Sequence, residues 1–305
     1  MKNLKISWLA FLIVISFACN DAQSMYQQNE QKTIVVQDSN CTGCKYQYAW
    51  MDSANYNPQS TICSRFDFPE GFSGVKNEPG SFAEWLRGLP LLPEGSQVKL
   101  FNGELKSNQG AQAAVINMDV GNTDLQQCAD AVMRLRAEYL FATKQFQKIA
   151  FNYTSGDRLD YVGWINGKRI AVSGNKTSVV FSGKKSPNIS DHKVFRAYMN
   201  DIFNYAGTLS LSKELKSISC DSMQAGDVFI HGGSPGHAVM IVDMAVNEKT
   251  GEKMFMIAQS YMPAQQMHVL RNDYEKRWSP WYKIGSGKYL ESPEYVFDWS
   301  ELKRF

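Results

Sequence analysis

Two apolar runs in the second half of the chain flank a short loop that ends in a histidine. The runs are residues 228–230 and 238–242, and the loop between them contains Gly, Ser and Pro, which favour a turn. A third apolar run, residues 254–260, follows a polar segment at 247–251 that predicts a hairpin turn. We therefore predict three strands, with His237 at the rim of their sheet. His237 begins the second strand and lies across from about Gln259 or Ser260 on the third.

A second pattern, upstream of these strands, predicts a long helix that carries a cysteine. Thr123 and Gln126 have the spacing of a capping box, which places the helix start at Thr123 and its end near Phe146. Its apolar face contains Leu125, Cys128, Val132, Leu135 and Tyr139. Cys128 then lies in the first turns, where the aligned backbone dipoles favour a thiolate, and it faces the sheet.

Weaker signals predict the remaining elements. Ser81 and Glu84 form a capping box for a helix that stops by Pro90, and Ser190 caps a helix that ends at Gly207. Strands are predicted at residues 98–101, 113–120 and 149–153, and an exposed hairpin or loop at residues 174–188.

The N-terminus has the pattern of an export signal. Lys2 and Lys5 precede an apolar run at residues 6–17, which is short for a membrane span. We assign residues 1–18 to a signal peptide. Ala18-Cys19 resembles a bacterial lipobox, which predicts lipidation of Cys19; cleavage without a lipid is the alternative. Residues 19–58 would form the lipidated N-terminus and a flexible tether, and residues 59–305 a single globular domain.

Composition narrows the class of partner. The formal net charge is +2, and removal of Lys2 and Lys5 with the signal peptide leaves 0. A neutral mature chain gives no electrostatic reason to bind nucleic acid.

Beyond Cys19 the cysteines are Cys41, Cys44, Cys63, Cys128 and Cys220. The C-x-x-C at residues 41–44 has no thioredoxin-like βαβ context, and a local disulfide or two loose thiols are the alternatives.

Together the cysteine helix and the histidine strand predict a catalytic group. Cys128 would be the nucleophile, His237 the base, and Gln259 the residue that orients the imidazole ring. Ser260 or His268 could replace Gln259. His231 is the rival base. Asp243 has an even offset from His237, which puts both on one strand face, but it is too far along the strand to orient the ring.

This arrangement is distantly similar to the NlpC/P60 and CHAP cysteine peptidases and amidases. The resemblance implies an α+β fold, a papain-like antiparallel sheet packed on a cysteine-bearing helix. It also implies cleavage of amide bonds in cell-wall peptides. The usual Asp before the cysteine and Ser or Gly after it are replaced by Gln127 and Ala129. The long interval from Cys128 to His237 implies a central insertion, alongside an N-terminal one.

Five longer segments resemble an uncharacterised family of exported bacterial proteins, domain of unknown function 4846, over residues 61–305. They are residues 78–82, 125–130, 205–210, 232–237 and 258–265. This family implies no particular activity.

We thus expect an envelope-anchored cysteine hydrolase, exported and held by a lipid on a membrane that faces the periplasm or the cell surface. Its substrate would be a cell-wall peptide or another envelope molecule. The alternative is a catalytically idle lipoprotein that binds a peptide or glycan in the same groove, using its 7 Trp and 14 Tyr. A zinc site made by His231, His237 and a cysteine lacks standard ligand spacing, so we predict no metal and no cofactor.

Overall fold

The computed structural model describes residues 48–305 apart from residues 175, 184 and 187. The described residues fall in one compact unit. The predicted signal peptide, Cys19, Cys41, Cys44 and most of the tether lie outside them. Across the described ranges, every helix is too short or too polar to traverse a bilayer.

The unit mixes helices with antiparallel strands, so the α+β prediction is confirmed. The helices are α1 (Ile62–Arg65), α2 (Phe82–Arg87), α3 (Cys128–Ala142), α4 (Tyr161–Ile165), α5 (His192–Phe203) and α6 (Thr208–Glu214). The strands are β1 (Ser73–Gly74), β2 (Gln112–Val115), β3 (Ala150–Asn152), β4 (Arg158–Asp160), β5 (Lys168–Ser173), β6 (Lys176–Phe181), β7 (Lys216–Ser217), β8 (Val228–His231), β9 (His237–Val246), β10 (Lys253–Gln259), β11 (His268–Leu270), β12 (Tyr282–Lys283), β13 (Tyr289–Glu291), β14 (Val296–Asp298) and β15 (Leu302–Arg304).

A nine-stranded sheet forms the centre of the unit, in the order β2-β11-β10-β9-β8-β15-β7, with β1 also on β9 and β12 on β10. Every residue of β9 except Val246 is buried. Helices α2 and α3 pack on this strand. An almost wholly apolar β9 is therefore covered on both faces, and only its first residue, His237, brings a ring nitrogen to the sheet rim.

The predicted histidine hairpin forms as expected. Its turn is closed by the Asn247 amide, which donates to the Glu252 carbonyl at 2.8 Å, and by the Gly251 amide, which donates to the Asn247 carbonyl at 2.7 Å. A bulge interrupts the pairing, because Met256 lies opposite Asp243 whereas the next residue, Ile257, lies opposite Ile241. Val242 is therefore the extra residue on β9.

The bulge decides which side chains share a face. Ala258 pairs with Met240, so Gln259 comes next to Val239 and on the same face as His237. Beyond the bulge the alternation is reversed, which places Asp243 on the opposite face, where Arg87 Nε lies 3.0 Å from its carboxylate. The prediction that Asp243 shares a face with His237 is wrong, since an even offset holds only along a regular strand.

The cysteine helix begins later than predicted. Its first residue is Cys128 and its N-cap is Gln127, whose amide donates to the Asp130 carboxylate at 3.1 Å. The predicted start at Thr123 is wrong. Asp124 does not belong to the helix, and its carboxylate instead accepts a long-range hydrogen bond from the Ala264 amide at 2.7 Å. The helix also ends at Ala142, before Phe146, where Lys144 adopts a positive φ of 57°.

Elsewhere the boundaries of several predicted elements move. The predicted strand at residues 98–101 has only isolated pairings at Lys99 and Leu100. The predicted strand at 113–120 is the shorter β2, and Gly207, predicted to end a helix, is the N-cap of α6. Tyr48, within the predicted tether, is buried, and its hydroxyl donates to the Trp85 carbonyl at 2.8 Å. Within the described residues, the folded unit therefore includes Tyr48, upstream of the predicted domain start at residue 59.

Candidate functional site

Cys128 occupies the first residue of α3, closer to the helix N-terminus than the sequence pattern predicts. Its side chain is half-buried, and backbone amides of Ala129, Ala238 and Cys128 itself are in position to hydrogen-bond the thiolate. Ala238 directly follows His237 at the start of β9. The thiol therefore lies against the strand that carries the predicted base.

Two tyrosines also connect Cys128 with His237. The rings of Tyr261 and Tyr295 lie 4.8 and 5.0 Å from the His237 ring. The same two phenols are close enough to Cys128 for a charged thiolate to raise their pKa values, an effect that adds to burial. Within the described part of the chain, the thiol makes no side-chain hydrogen bond, to His237 or to another group. Resting active sites often tighten only with substrate.

Gln259 is the group that contacts the histidine. His237 Nε2 donates to Gln259 Oε1 at 2.7 Å, and both side chains are buried. Nε2 is thus occupied, and Nδ1 is the ring nitrogen that remains for another partner. Ser260 and His268, the two alternatives to Gln259, have other partners. The Ser260 hydroxyl donates to the Gln265 carbonyl at 2.8 Å, and His268 contacts Gln259 instead of His237.

The rival base His231 has a different environment. Its ring is 49% exposed and its Nδ1 contacts the Glu301 carboxylate. It pairs with His237 across β8 and β9. No contact among the described residues joins it to Cys128.

A second polar layer lies behind Gln259, and the sequence pattern did not reveal it. Gln259 Nε2 donates to Glu294 Oε2 at 2.6 Å. The same carboxylate forms an ion pair with the buried Lys106, and its Oε1 accepts from Asn108 Nδ2 at 3.0 Å. Glu294 follows β13 by three residues, and Lys106 belongs to a loop before β2. These residues are distant in sequence and have no periodic spacing that could have linked them to His237.

Burial controls the protonation of the central pair. It raises the pKa of the Cys128 thiol to about 11, reinforced by the neighbouring Asp130 and opposed by the three backbone amides. It lowers the pKa of His237 to about 4, against the opposing effect of the Gln259 hydrogen bond. At neutral pH the resting site therefore holds a thiol and a neutral imidazole. The predicted effect of the helix start on the thiol is present, but desolvation outweighs it.

The loop before His237 is held against α6. A side chain at Gly236 would place its Cβ 2.3 Å from Thr208 Oγ1 and 2.6 Å from the Gly233 carbonyl. The Thr208 hydroxyl donates to that carbonyl at 3.1 Å. Only glycine fits at this close approach, which sets where β9 begins and hence where the His237 ring lies.

Another histidine, His192, belongs to a separate buried cluster. Its Nε2 lies 3.0 Å from both oxygens of Glu138 on α3. Glu138 also pairs with Arg134 at 3.2 Å, and Arg134 contacts the Asp119 carboxylate at 2.7 Å. Arg134 and Glu138 are fully buried, so this cluster ties α5 to α3 and to the loop before it.

Two other cysteines lie within the described residues. Cys63 is disulfide-bonded, and Cys220 is a free thiol that donates weakly to the Trp299 carbonyl at 3.7 Å. Among the described residues, no group of three or more His, Cys, Asp or Glu side chains is arranged to hold a metal ion.

Fold and site together define an α+β protein with a cysteine, a histidine and a glutamine at the rim of an antiparallel sheet. The model of the family described as domain of unknown function (4846) matches residues 62–304, and the chain belongs to this family. Searches of curated proteins and of solved structures found no significant match.

Proposed function

We propose that this protein is a cysteine hydrolase that cleaves an amide bond, with Cys128 as nucleophile, His237 as base and Gln259 as the orienting group. One observation carries the proposal. The thiol at the first residue of α3 lies against the Ala238 amide, while the adjacent His237 uses Nε2 for Gln259 and keeps Nδ1 available. This combination supplies a nucleophile, a neutral base and an orienting amide.

In the proposed reaction, His237 Nδ1 accepts the thiol proton as the Cys128 sulfur attacks the substrate carbonyl carbon. Backbone N–H groups at the start of α3 stabilise the resulting oxyanion. The imidazolium then donates its proton to the leaving amine, the C–N bond breaks, and a thioester remains on Cys128. Water, deprotonated by His237, attacks the thioester, which releases the carboxylic acid and restores the thiol.

The fold and location extend the proposal. A helix with an N-terminal cysteine, packed on an antiparallel sheet with a histidine at a strand start, supports a papain-like arrangement of the NlpC/P60 type. Such proteins cleave cell-wall peptides. Together with the predicted signal peptide and the lipid on Cys19, this supports an enzyme held at an envelope membrane and acting on peptide outside the cytoplasm. That substrate class is an analogy from the resemblance.

The test is hydrolysis of peptidoglycan fragments and of simple peptide amides by Cys128→Ala. Removing the nucleophile should reduce turnover by about a thousandfold or more. Cys220→Ser is the matched control, because it removes the other free thiol in the described residues and should keep full activity. Unchanged circular dichroism would show that both variants fold. Turnover that persists in folded Cys128→Ala would refute the proposal.

A second function, ligand binding without catalysis, is favoured by one observation: the pKa of the Cys128 thiol is raised to about 11, as in a buried structural cysteine. Alkylation by iodoacetamide separates the two functions. If His237 acts as a base, labelling of Cys128 at pH 7 should slow in His237→Ala, with Cys220 as the internal reference. If Cys128 is only a core residue, its labelling should be slow in both proteins.

A further inference from the structure

We propose that Glu294 is a positioning residue for this site: it fixes the orientation of the Gln259 amide and, through that amide, the tautomer of His237. Lys106 and His268 complete the arrangement. The inference rests on the proposed function, since it explains how the base is kept ready to take a proton.

The argument begins with the two N–H groups of the Gln259 amide. One donates to Glu294 Oε2 at 2.6 Å, and the other faces His268 Nε2 at 3.4 Å. His268 Nδ1 lies 2.9 Å from the Gln266 carbonyl, which can only accept, so Nδ1 carries the proton. The neutral His268 ring then has a bare Nε2, which is an acceptor for Gln259.

With both of its N–H groups directed at acceptors, the amide must turn its carbonyl oxygen toward His237. The flipped amide would point Oε1 at the Glu294 carboxylate and its N–H groups at His237. That arrangement replaces a charge-assisted hydrogen bond with repulsion between two acceptors inside a buried site. Glu294 is the strongest acceptor near the amide, and it therefore decides between the two orientations.

The orientation of Gln259 sets the chemistry of His237. A carbonyl oxygen 2.7 Å from Nε2 requires that Nε2 carry the ring proton. Nδ1 then has its lone pair free for the Cys128 proton. In the opposite tautomer Nδ1 would carry a proton and could not act as a base, a defect that severely impairs hydrolases of this kind.

Lys106 prevents Glu294 from disturbing His268. The Glu294 carboxylate lies 4.0 Å from His268 Nε2, a distance at which an unpaired carboxylate would favour protonation of the ring. Lys106 is buried, with 5% of its side chain exposed, and forms an ion pair with that carboxylate. A protonated His268 would direct Nε2–H at the Gln259 amide and lose its role as acceptor. The lysine thus keeps His268 neutral and the amide in place.

The tautomer can be measured without any substrate. In ¹⁵N-histidine-labelled protein, two-dimensional NMR should show His237 with a protonated Nε2 and a bare Nδ1. Glu294→Ala should give a mixture of tautomers, whereas Glu294→Gln should largely restore the wild-type signal, because its carbonyl can still accept from Gln259. Glu291→Gln, a carboxylate on the same hairpin but outside the network, is the matched control and should leave the signal unchanged.

Hydrolysis supplies the second readout. Glu294→Ala should lower kcat by roughly tenfold to a hundredfold, the effect typical of removing a residue that orients a functional histidine, with little change in KM. Lys106→Met should instead raise the protonated fraction of His268 near neutral pH. A single Nε2–H tautomer in folded Glu294→Ala would overturn the proposal, as would an unchanged His268 in Lys106→Met.

These outcomes are separable from a failure of the proposed function. If folded Cys128→Ala retains all turnover, the hydrolase is wrong, yet the His237 tautomer still reports whether Glu294 orients Gln259. If Glu294→Ala does not fold, the Lys106→Met result decides the inference by itself.

Discussion

Two histidines in this protein show two ways of connecting an imidazole to a carboxylate. His192 contacts Glu138 directly, with its Nε2 3.0 Å from both oxygens. His237 is separated from Glu294 by Gln259. Each carboxylate also has a buried cation, Arg134 in the first cluster and Lys106 in the second.

The interposed amide changes what the histidine can do. A carboxylate in direct contact with an imidazole, as Glu138 is with His192, makes a cross-link between two helices. Gln259 orients the His237 ring without bringing a negative charge against it, and burial lowers the pKa of His237 to about 4. The first cluster is suited to holding α3 and α5 together, and the second to keeping a neutral base in a fixed orientation.

The largest expected effect comes from breaking the structural cluster. Arg134→Met would remove the ion pair of Glu138, which is fully buried, and should lower the free energy of unfolding by about 3–5 kcal/mol. Arg158→Met removes an ion pair whose arginine is 55% exposed, and should cost about 1 kcal/mol or less. Urea unfolding measures both. Equal losses in the two variants would mean that the Arg134 cluster contributes no more than a surface pair.

Acid should destabilise the protein through His237. The unfolded chain binds a proton at this residue near pH 6.5, but in the folded state the pKa is lowered to about 4 by burial. The unfolded state therefore binds more protons between these values, and stability falls as the pH drops from 6.5 to 4. The loss should be about 3 kcal/mol for this group. Urea unfolding of wild type and His237→Asn at several pH values isolates it, and parallel curves would contradict the assignment.

The same lowered pKa makes a prediction for activity. The reactive pair is neutral between the pKa of His237, about 4, and that of Cys128, about 11. The kcat/KM profile should rise with pH through about 4 and stay flat until strongly alkaline pH. If kcat/KM instead rises with pH through about 6.5, the His237 ring is exposed to water in the active enzyme.

A paired exchange should convert one kind of cluster into the other. The double variant Gln259→Glu/Glu294→Gln keeps a hydrogen bond between the two positions but puts the carboxylate against His237. The pKa of His237 should rise by about one to three pH units, measured by NMR titration. Glu294→Gln by itself is the control and should leave it low. A value that stays near 4 in the double variant would show that desolvation outweighs any adjacent charge.

The smallest effect is expected at His192. His192→Gln keeps a donor toward Glu138 but loses the imidazole ring, and should cost about 1 kcal/mol in urea unfolding. The His237 tautomer should not change, since the two clusters share no hydrogen bond among the described residues. A change in that tautomer would mean that the clusters are coupled through α3.

Local sequence rules predicted part of this site. The glycine-rich loop, the hairpin turn and the apolar runs were enough to place His237 at a strand start near Gln259, because hairpin pairing is set by short-range spacing. The start of α3 was misplaced because Asp124 is held by Ala264, 140 residues away. A capping pattern in the sequence carries no information about such a contact.

The rest of the site depends on packing between distant segments. Glu294, Lys106 and Gln259 meet because a C-terminal hairpin and a loop before β2 close over the sheet, and no periodicity links them. The pKa of Cys128 could not be predicted from the sequence either, since it depends on how much of the thiol the strand covers. Helix position by itself indicated a lower value.

The bulge at Val242 has a genetic consequence. Loss of this one codon would change no side chain of the site and would leave the turn of the hairpin intact. It would also restore regular pairing, with Ile257 still opposite Ile241, so Gln259 would stay on the face of His237. Loss of one codon between His237 and Ile241, with the bulge kept, would instead turn Gln259 to the opposite face. In a lineage of such proteins, the bulge and its extra residue would therefore be gained or lost together.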